Sequence, residues 1–233
     1  MASDGGTLIV IPAYNEAASI GSVVAEVRGE LPWVDVLVVD DGSSDETSVL
    51  AERAGATVAR IPYNLGVGGA MRLGYHYGRD HGYDAVVQLD ADGQHDPRYV
   101  PKLLDGLAEA DVVIGARFAG EGEYQCRGPR RWAMALLAVV LSRFARATLT
   151  DTTSGFRAVN RRAMCLFARW YPVEYLGDTV ETLVHASSHG MRVRQVPVAM
   201  RPRLAGRPSH SGLRAMVYLG RAVIVLFLAL IRR

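Results

Sequence analysis

Cysteine is scarce in this chain of 233 residues: only Cys126 and Cys165 are present, at no spacing that suggests a zinc site or a redox pair. That excludes a disulfide scaffold and points to a reducing compartment. Lysine is scarcer still, with Lys102 alone, so the preference for Arg elsewhere carries little information and the positions of the charges matter more than their type. Long apolar runs are also lacking. The longest charge-free stretch near the C-terminus, Ala222 to Ile231, falls well short of the roughly 20 apolar residues that span a bilayer. The opening "MASDGGTLIVIPAYNE" has neither a basic n-region nor a long apolar h-region, so no signal peptide is expected and the active part is expected in the cytosol. Repeats, low-complexity tracts and a clear linker are missing too, and one domain is the default for this length.

What is present is a globular composition, 49% hydrophobic and 21% charged, slightly more apolar than an average soluble domain. The net charge of +2 hides an asymmetry. Residues 1–120 carry 8 basic against 18 acidic side chains, and residues 121–233 carry 18 against 6. The first half therefore suits metal ions, and the second suits anionic partners such as phosphates or anionic lipid. A nucleic-acid surface ranks last, because the basic half lacks clustered aromatics for base stacking and any known reader motif.

Short apolar runs alternate with helical patterns, the signature of a parallel sheet covered by helices. Strands are predicted at 7–11, 35–40, 56–60, 84–90 and 111–116, with another near 192–198. Helices are predicted over 17–28, 45–54, 69–81 and 99–109, then over 131–149, 160–169 and 177–189. In such sheets ligands bind beyond the carboxyl ends of the strands, where "PAYNE", "DDGSSD" and "DADGQH" all fall.

The stretch "QLDADGQHDP" (88–97) sets carboxylates close together directly after an apolar strand. Like charges at that spacing repel unless a cation or strong donors compensate. Asp90 and Asp92 can turn toward one point, and hard divalent cations take carboxylates together with substrate phosphates. Gln94 could add a carbonyl oxygen; His95 could add a nitrogen or merely hydrogen-bond. In "VVDDGSSDET" (38–47), Ser43, Ser44 and Asp45 suit a helix cap, which leaves Asp40 or Asp41 to accept from the N–H groups of a base. In "IPAYNE", Asn15 could cap a helix, Tyr14 offers a stacking face and Glu16 an acceptor. "NLGVGGAMRLG" (64–74) lacks the P-loop Lys-Ser/Thr pair and the dinucleotide spacing, and reads as a tight entry to a helix packed close to the site.

At about 100° per residue, Arg214, Arg221 and Arg232 fall within a narrow arc of a helix over 212–233, the pattern of a basic amphipathic helix at a membrane surface. Packing on the core or on a partner is the alternative.

The motifs "IPAYNE", "VVDDGSSDET", "NLGVGGAMRLG", "DADGQHDP", "GARF" (115–118) and "TSGFRAVNR" (153–161) occur in the order of family 2 glycosyltransferases with a GT-A fold. The chain most resembles the branch containing dolichyl- and polyprenyl-phosphate sugar synthases, over about residues 7–210. The resemblance implies an α/β fold, a Rossmann-like, mostly parallel sheet flanked by helices, with a C-terminal amphipathic helix. It implies a glycosyltransferase domain over 1–211, with a nucleotide-sugar half (7–118) and an acceptor half (119–211), which the membrane- or partner-docking helix read from the periodicity of 212–233 follows.

Carried over residue by residue, the resemblance assigns Pro12, Tyr14, Glu16, Val39 and Asp41 to the nucleoside. Asp90, Ala91 and Asp92 match the metal and diphosphate motif, and Gln94 a metal-side position. Arg117 and Arg131 match phosphate-contacting arginines, and Arg203 a later one that closes over the diphosphate. The family's "GxSK" is replaced by "RLAGRPSH", where Arg207 or His210 could substitute for the missing Lys. The implied reaction is inverting, Mg²⁺- or Mn²⁺-dependent transfer from a GDP- or UDP-linked sugar to a polyprenyl phosphate. The expected location is peripheral, at the cytoplasmic side of the membrane, with or without a separate membrane-spanning subunit. A hydroxyl acceptor stays open, since Asp151 or Asp178 could face it as a base, as does an inactive nucleotide-sugar-binding subunit, against which the intact Asp pair argues.

Overall fold

The computed structural model describes residues 6–117, 142–143, 147, 149–151, 154–172, 179 and 181–204. Its strands are β1 Thr7–Ala13, β2 Asp35–Asp40, β3 Thr57–Arg60, β4 Ala85–Gln88, β5 Val112–Ala116, β6 Arg157–Asn160 and β7 Val193–Pro197. The helices are α1 Ile20–Glu30, α2 Thr47–Arg53, α3 Val67–Asp80, α4 Val100–Gly106, α5 Arg161–Arg169 and α6 Thr182–Ser188, with a 3₁₀ turn over Pro97–Tyr99.

All seven strands form one sheet in the order β3-β2-β1-β4-β6-β5-β7. β6 runs antiparallel to both its neighbours, β4 and β5, and the other pairings are parallel. The strands are β-branched and apolar because both faces are covered. Side chains alternate between the faces: Leu8 and Val10 join Leu37 and Val39 in a core under α3 and α5, while Ile9 and Ile11 join Val36 and Val38 in a second core with residues of α1 and α4. Fully burying each such side chain stabilises the fold by about 1.5–3 kcal/mol.

Helix α3 sits unusually close to the sheet. A Cβ on Gly74 would lie 2.5 Å from Val10 Cγ1, and one on Gly78 would lie 2.8 Å from Met164 Sδ. The glycine-rich stretch therefore serves close packing as well as the turn into the helix, which Gly66 enters at φ +86°.

Three local readings of the sequence are corrected. β6 was not expected as a strand, because four residues opened by a charged side chain carry no alternating signature. Arg157 is nevertheless buried, donating to the carbonyls of Ser154 and Thr179 and to the Thr182 hydroxyl. β4 ends at Gln88 rather than at residue 90, since the Asp90 N–H leaves the ladder to bond His95 Nδ1. Asn15 is not a helix cap. It adopts φ +55°, a region Asn tolerates, and its Oδ1 accepts from the Ser44 N–H at 2.9 Å, tying the loop after β1 to the loop after β2. Most of the helix predicted over 131–149, and all of 212–233, lie outside the described residues.

Strand order reverses at β1, with β2 on one side and β4 on the other. The crevice beyond the carboxyl ends at that switch is where open α/β sheets bind ligands. The chain leaving β7 returns there. Met200 bridges His95, the Arg201 N–H donates to the Gln94 carbonyl at 3.0 Å, and the Leu204 N–H donates to the Asp92 carbonyl at 2.9 Å.

Candidate active site

Three loops and this returning segment build the site. From β1 come Pro12, Tyr14 and Glu16. Pro12 pairs in register with Val39 of β2, so two of the residues assigned to the nucleoside are neighbours. Val39 itself is 0% exposed and packs in the core. Its main chain lies between those of Pro12 in β1 and Ala59 in β3. Tyr14 is half-exposed, as a stacking platform requires.

The two aspartates after β2 are both committed to loops. Asp40 accepts from the Ser43 N–H at 2.8 Å and from the Ser48 hydroxyl. Asp41 accepts from the N–H groups of Leu65 and Gly66 at 2.8 and 2.7 Å. Burial pushes the Asp41 carboxyl up, opposed by those two amides. A base N–H would therefore come as an additional donor to an oxygen that already holds one.

Past β4, Asp92 is nearly buried and accepts from the Gln94 N–H at 2.9 Å and from Arg203 Nη2 at 2.9 Å. Ala91 is buried between the two carboxylates. The Gln94 side chain lies 3.4 Å from the Arg201 carbonyl and 3.5 Å from Arg203 Nη2, so its oxygen already faces a cation. The Asp90 carboxylate is 38% exposed and lies 3.5 Å from Gln88 Nε2. Across the crevice, burial pushes the Glu16 carboxyl up, while the Ser19 hydroxyl and Arg203 pull it down and Asp92 raises it further. Glu16, Asp92 and Arg203 thus feel one another electrostatically.

Could these residues hold a divalent cation? Among the described residues no group of three or more His, Cys, Asp or Glu side chains is arranged to hold one by itself. Two carboxylates and a carboxamide at a strand end nonetheless make an all-oxygen set of the kind that binds Mg²⁺ or Mn²⁺ together with substrate phosphates. The guanidinium of Arg203 on Asp92 and beside Gln94 marks where that set presents its negative charge. The residues fit.

Arg117, expected to hold a phosphate, gives Nε and Nη2 to the Asp151 carboxylate at 2.6 and 3.0 Å. Asp151, considered as a base facing a hydroxyl acceptor, is 0% exposed. Its two oxygens serve Arg117, and its carbonyl accepts from Gln195 at 2.6 Å. Arg131, Asp178, Arg207 and His210 lie outside the described residues.

Sequence reasoning overlooked two supports of the site. Arg201 bridges Glu26 at 2.6 Å and Asp96 at 2.8 Å, fastening the returning segment. Gly155 backs the Asp90 carboxylate, where a Cβ would come within 3.3 Å of Oδ1. The small residue in "TSGF" was the available signal.

The sequence model of glycosyl transferase family 2 matches residues 8–167. The chain belongs to glycosyl transferase family 2. This transferase is 34% identical over 217 residues to an undecaprenyl-phosphate mannosyltransferase of Micrococcus luteus, covering 88% of this chain and 87% of that protein. It is 31% identical to the polyprenol monophosphomannose synthase of Mycolicibacterium smegmatis, with 88% and 81% covered, and 30% identical to a dolichyl-phosphate hexose transferase of Haloferax volcanii, with 93% and 91% covered. Among solved structures, glucosyl-3-phosphoglycerate synthase from Mycobacterium tuberculosis in complex with Mn²⁺, UDP and phosphoglyceric acid superposes with a TM-score of 0.67 at 22% identity, covering 97% of this chain and 78% of that one. That likeness establishes the GT-A fold: the transferase is a mixed α/β protein with a mostly parallel sheet flanked by helices.

Proposed function

We propose that this glycosyltransferase moves a sugar from a GDP- or UDP-linked donor to a polyprenyl phosphate at the cytoplasmic face of a membrane, with inversion at the anomeric carbon. The observation that carries the reading is the Arg203–Asp92 ion pair just past β4, within electrostatic reach of Glu16 on the loop after β1. The names of the polyprenyl- and dolichyl-phosphate relatives point to the acceptor.

In this mechanism an oxygen of the acceptor phosphate attacks the anomeric carbon while the bond to the diphosphate breaks, and the nucleoside diphosphate leaves with the electron pair. Tyr14, Glu16 and the main chain at Pro12, Val39 and Asp41 hold the nucleoside. Asp90 and Asp92, with Gln94 beside them, would hold Mg²⁺ or Mn²⁺. The bound cation supplies electrostatic stabilisation of the charge on the departing diphosphate. Arg203 transfers its guanidinium from Asp92 to that diphosphate, which becomes the stronger anion. A phosphate acceptor is already anionic near neutral pH, so no general base is needed. Asp151, the described carboxylate that a hydroxyl acceptor would call on, is buried and engaged by Arg117. Arg117 and Arg131 are assigned to a phosphate from the sequence.

No helix among the described residues is long and apolar enough to cross a membrane. Membrane association is assigned to the basic amphipathic pattern over 212–233, with or without a membrane-spanning partner. Deleting that segment should abolish flotation with anionic vesicles.

The deciding experiment is incorporation of labelled sugar from GDP-mannose and from UDP-glucose into polyprenyl phosphate, with Mg²⁺ or Mn²⁺ and with chelator. Metal-dependent, solvent-extractable label from one donor supports the reading and identifies the base. Transfer to a saccharide hydroxyl in its place would redirect it.

A further inference from the structure

His95 is the most deeply placed titratable side chain beside the carboxylate pair, with 2% exposure, and neither metal nor substrate is assigned to it. Its ring stacks on Phe156 at 4.7 Å between centroids and 13° between planes. Its Nδ1 accepts the Asp90 N–H at 3.0 Å. A ring nitrogen that accepts bears no proton, so the ring hydrogen sits on Nε2, which lies 3.5 Å from Asp90 Oδ2. One ring therefore accepts from the Asp90 main chain and stands close to its carboxylate.

The position of Asp90 explains why it needs this. It stands two residues past the end of β4, so the ladder does not fix its backbone. Its carboxylate is 38% exposed, so burial alone does not select its rotamer. Gly155 lies against the same carboxylate, where a Cβ would be tight on Oδ1 at 3.3 Å and in ordinary contact with Oδ2 at 3.5 Å. The Met200 bridge to His95 joins the same unit to the segment that carries Arg203.

We propose that His95 is a positioning residue: held flat by Phe156, it pre-sets Asp90 for a divalent cation by fixing its N–H and by standing against its carboxylate. This rests on the metal-dependent reading above. Residues that orient a metal ligand in this way change metal affinity by roughly 10–100-fold when removed, whereas a histidine that merely fills the core changes stability alone.

The test is Mn²⁺ binding followed by electron paramagnetic resonance on the full chain, with saturating UDP and separately GDP, for wild type, His95→Leu and His95→Asn. Leucine removes both contacts, while the Asn Oδ1 can still accept the Asp90 N–H. The expected result is a dissociation constant raised roughly 10–100-fold in the Leu variant and less in the Asn variant, with the number of sites per chain unchanged. Should the Leu variant fail to fold, a raised constant at full stoichiometry in the Asn variant carries the inference, and an unchanged one overturns it. Wild-type affinity in the Leu variant overturns it as well. So does a loss of sites without a change in affinity, which is the mark of simple structural damage. A wild type that takes up no Mn²⁺ with either nucleotide removes the metal-dependent reading itself, and the inference falls with it.

Discussion

Arg203 Nη2 lies 2.9 Å from Asp92 Oδ2 and 3.5 Å from Gln94 Oε1, so the arginine expected to meet the diphosphate rests on the side chains expected to meet the cation. A guanidinium and a divalent ion compete for the same carboxylate. Replacing Arg203 by Ala should therefore have opposite effects on two measurements. Mn²⁺ binding without nucleotide should tighten several-fold, because a competing cation is gone. Sugar transfer should fall by roughly 10²-fold, the usual scale for losing a group that stabilises charge in the transition state. A parallel loss of both in titration and turnover assays would mean that Arg203 helps hold the ion instead.

The Arg117–Asp151 pair leads to a different outcome. Asp151 is 0% exposed and Arg117 mostly covered, so removing either partner breaks a buried pair held by two charge-assisted hydrogen bonds. Asp151→Ala should lower the unfolding free energy by about 3–5 kcal/mol in urea titrations. The double change Arg117→Met with Asp151→Leu should cost clearly less than the sum of the single changes, since a buried pair exchanged for apolar side chains is often close to neutral. Full stability in Asp151→Ala, combined with a lost acidic limb in the pH–rate profile, would return Asp151 to the role of base.

Much of the fold was legible because β-branched runs bounded by Gly, Asp and Asn leave few alternatives. β1, β2, β4 and β5 overlap their predicted ranges. β6 escaped because a short strand opened by Arg157 looks like loop, and two of the groups that satisfy that arginine come from Thr179 and Thr182, more than twenty residues away. The site divides in the same way. Residue types announced a carboxylate pair at a strand end, but not its internal partners. Asp41 finds its donors at Leu65 and Gly66, and Asp92 finds Arg203. Such pairings depend on which loops the topology brings together, and local sequence does not record that. Val39 illustrates the reverse case, where a motif position has its side chain in the core.

Acid stability should depend on Asp96. Burial works against its ionised form, yet hydrogen bonds from the Arg98 side chain and N–H and from Arg201 outweigh it, lowering its pKa from 3.8 to about 2. The unfolded chain then binds the proton first as pH falls. The contribution to stability is thus complete above about pH 4 and lost progressively toward pH 2. Because the Arg98 head is largely solvated, that contribution is about 1–2 kcal/mol. Asp96→Asn should lose this much at pH 7 and show a flatter stability profile between pH 4 and 2. An unchanged acid limb in denaturant titrations would place the sensitivity elsewhere.

Gly155 tests whether the wall behind Asp90 matters to the chemistry or only to the packing. Its φ is not in the left-handed region, so alanine brings no backbone strain, and the added methyl would meet Gln88 Nε2 at 3.0 Å and Asp90 Oδ1 at 3.3 Å. Both neighbours are side-chain ends that can give way by a few tenths of an ångström, which keeps the stability cost of Gly155→Ala within about 1 kcal/mol. What moves is the Asp90 carboxylate. Metal-dependent transfer should then need several-fold more Mn²⁺ for half-saturation, while the rate at saturating Mn²⁺ recovers most of the wild-type value. A reduced rate that added Mn²⁺ cannot restore would show that the methyl acts on the acceptor side of the crevice, through the neighbouring Ser154 and the Arg157 side chain that donates to its carbonyl, and not through Asp90.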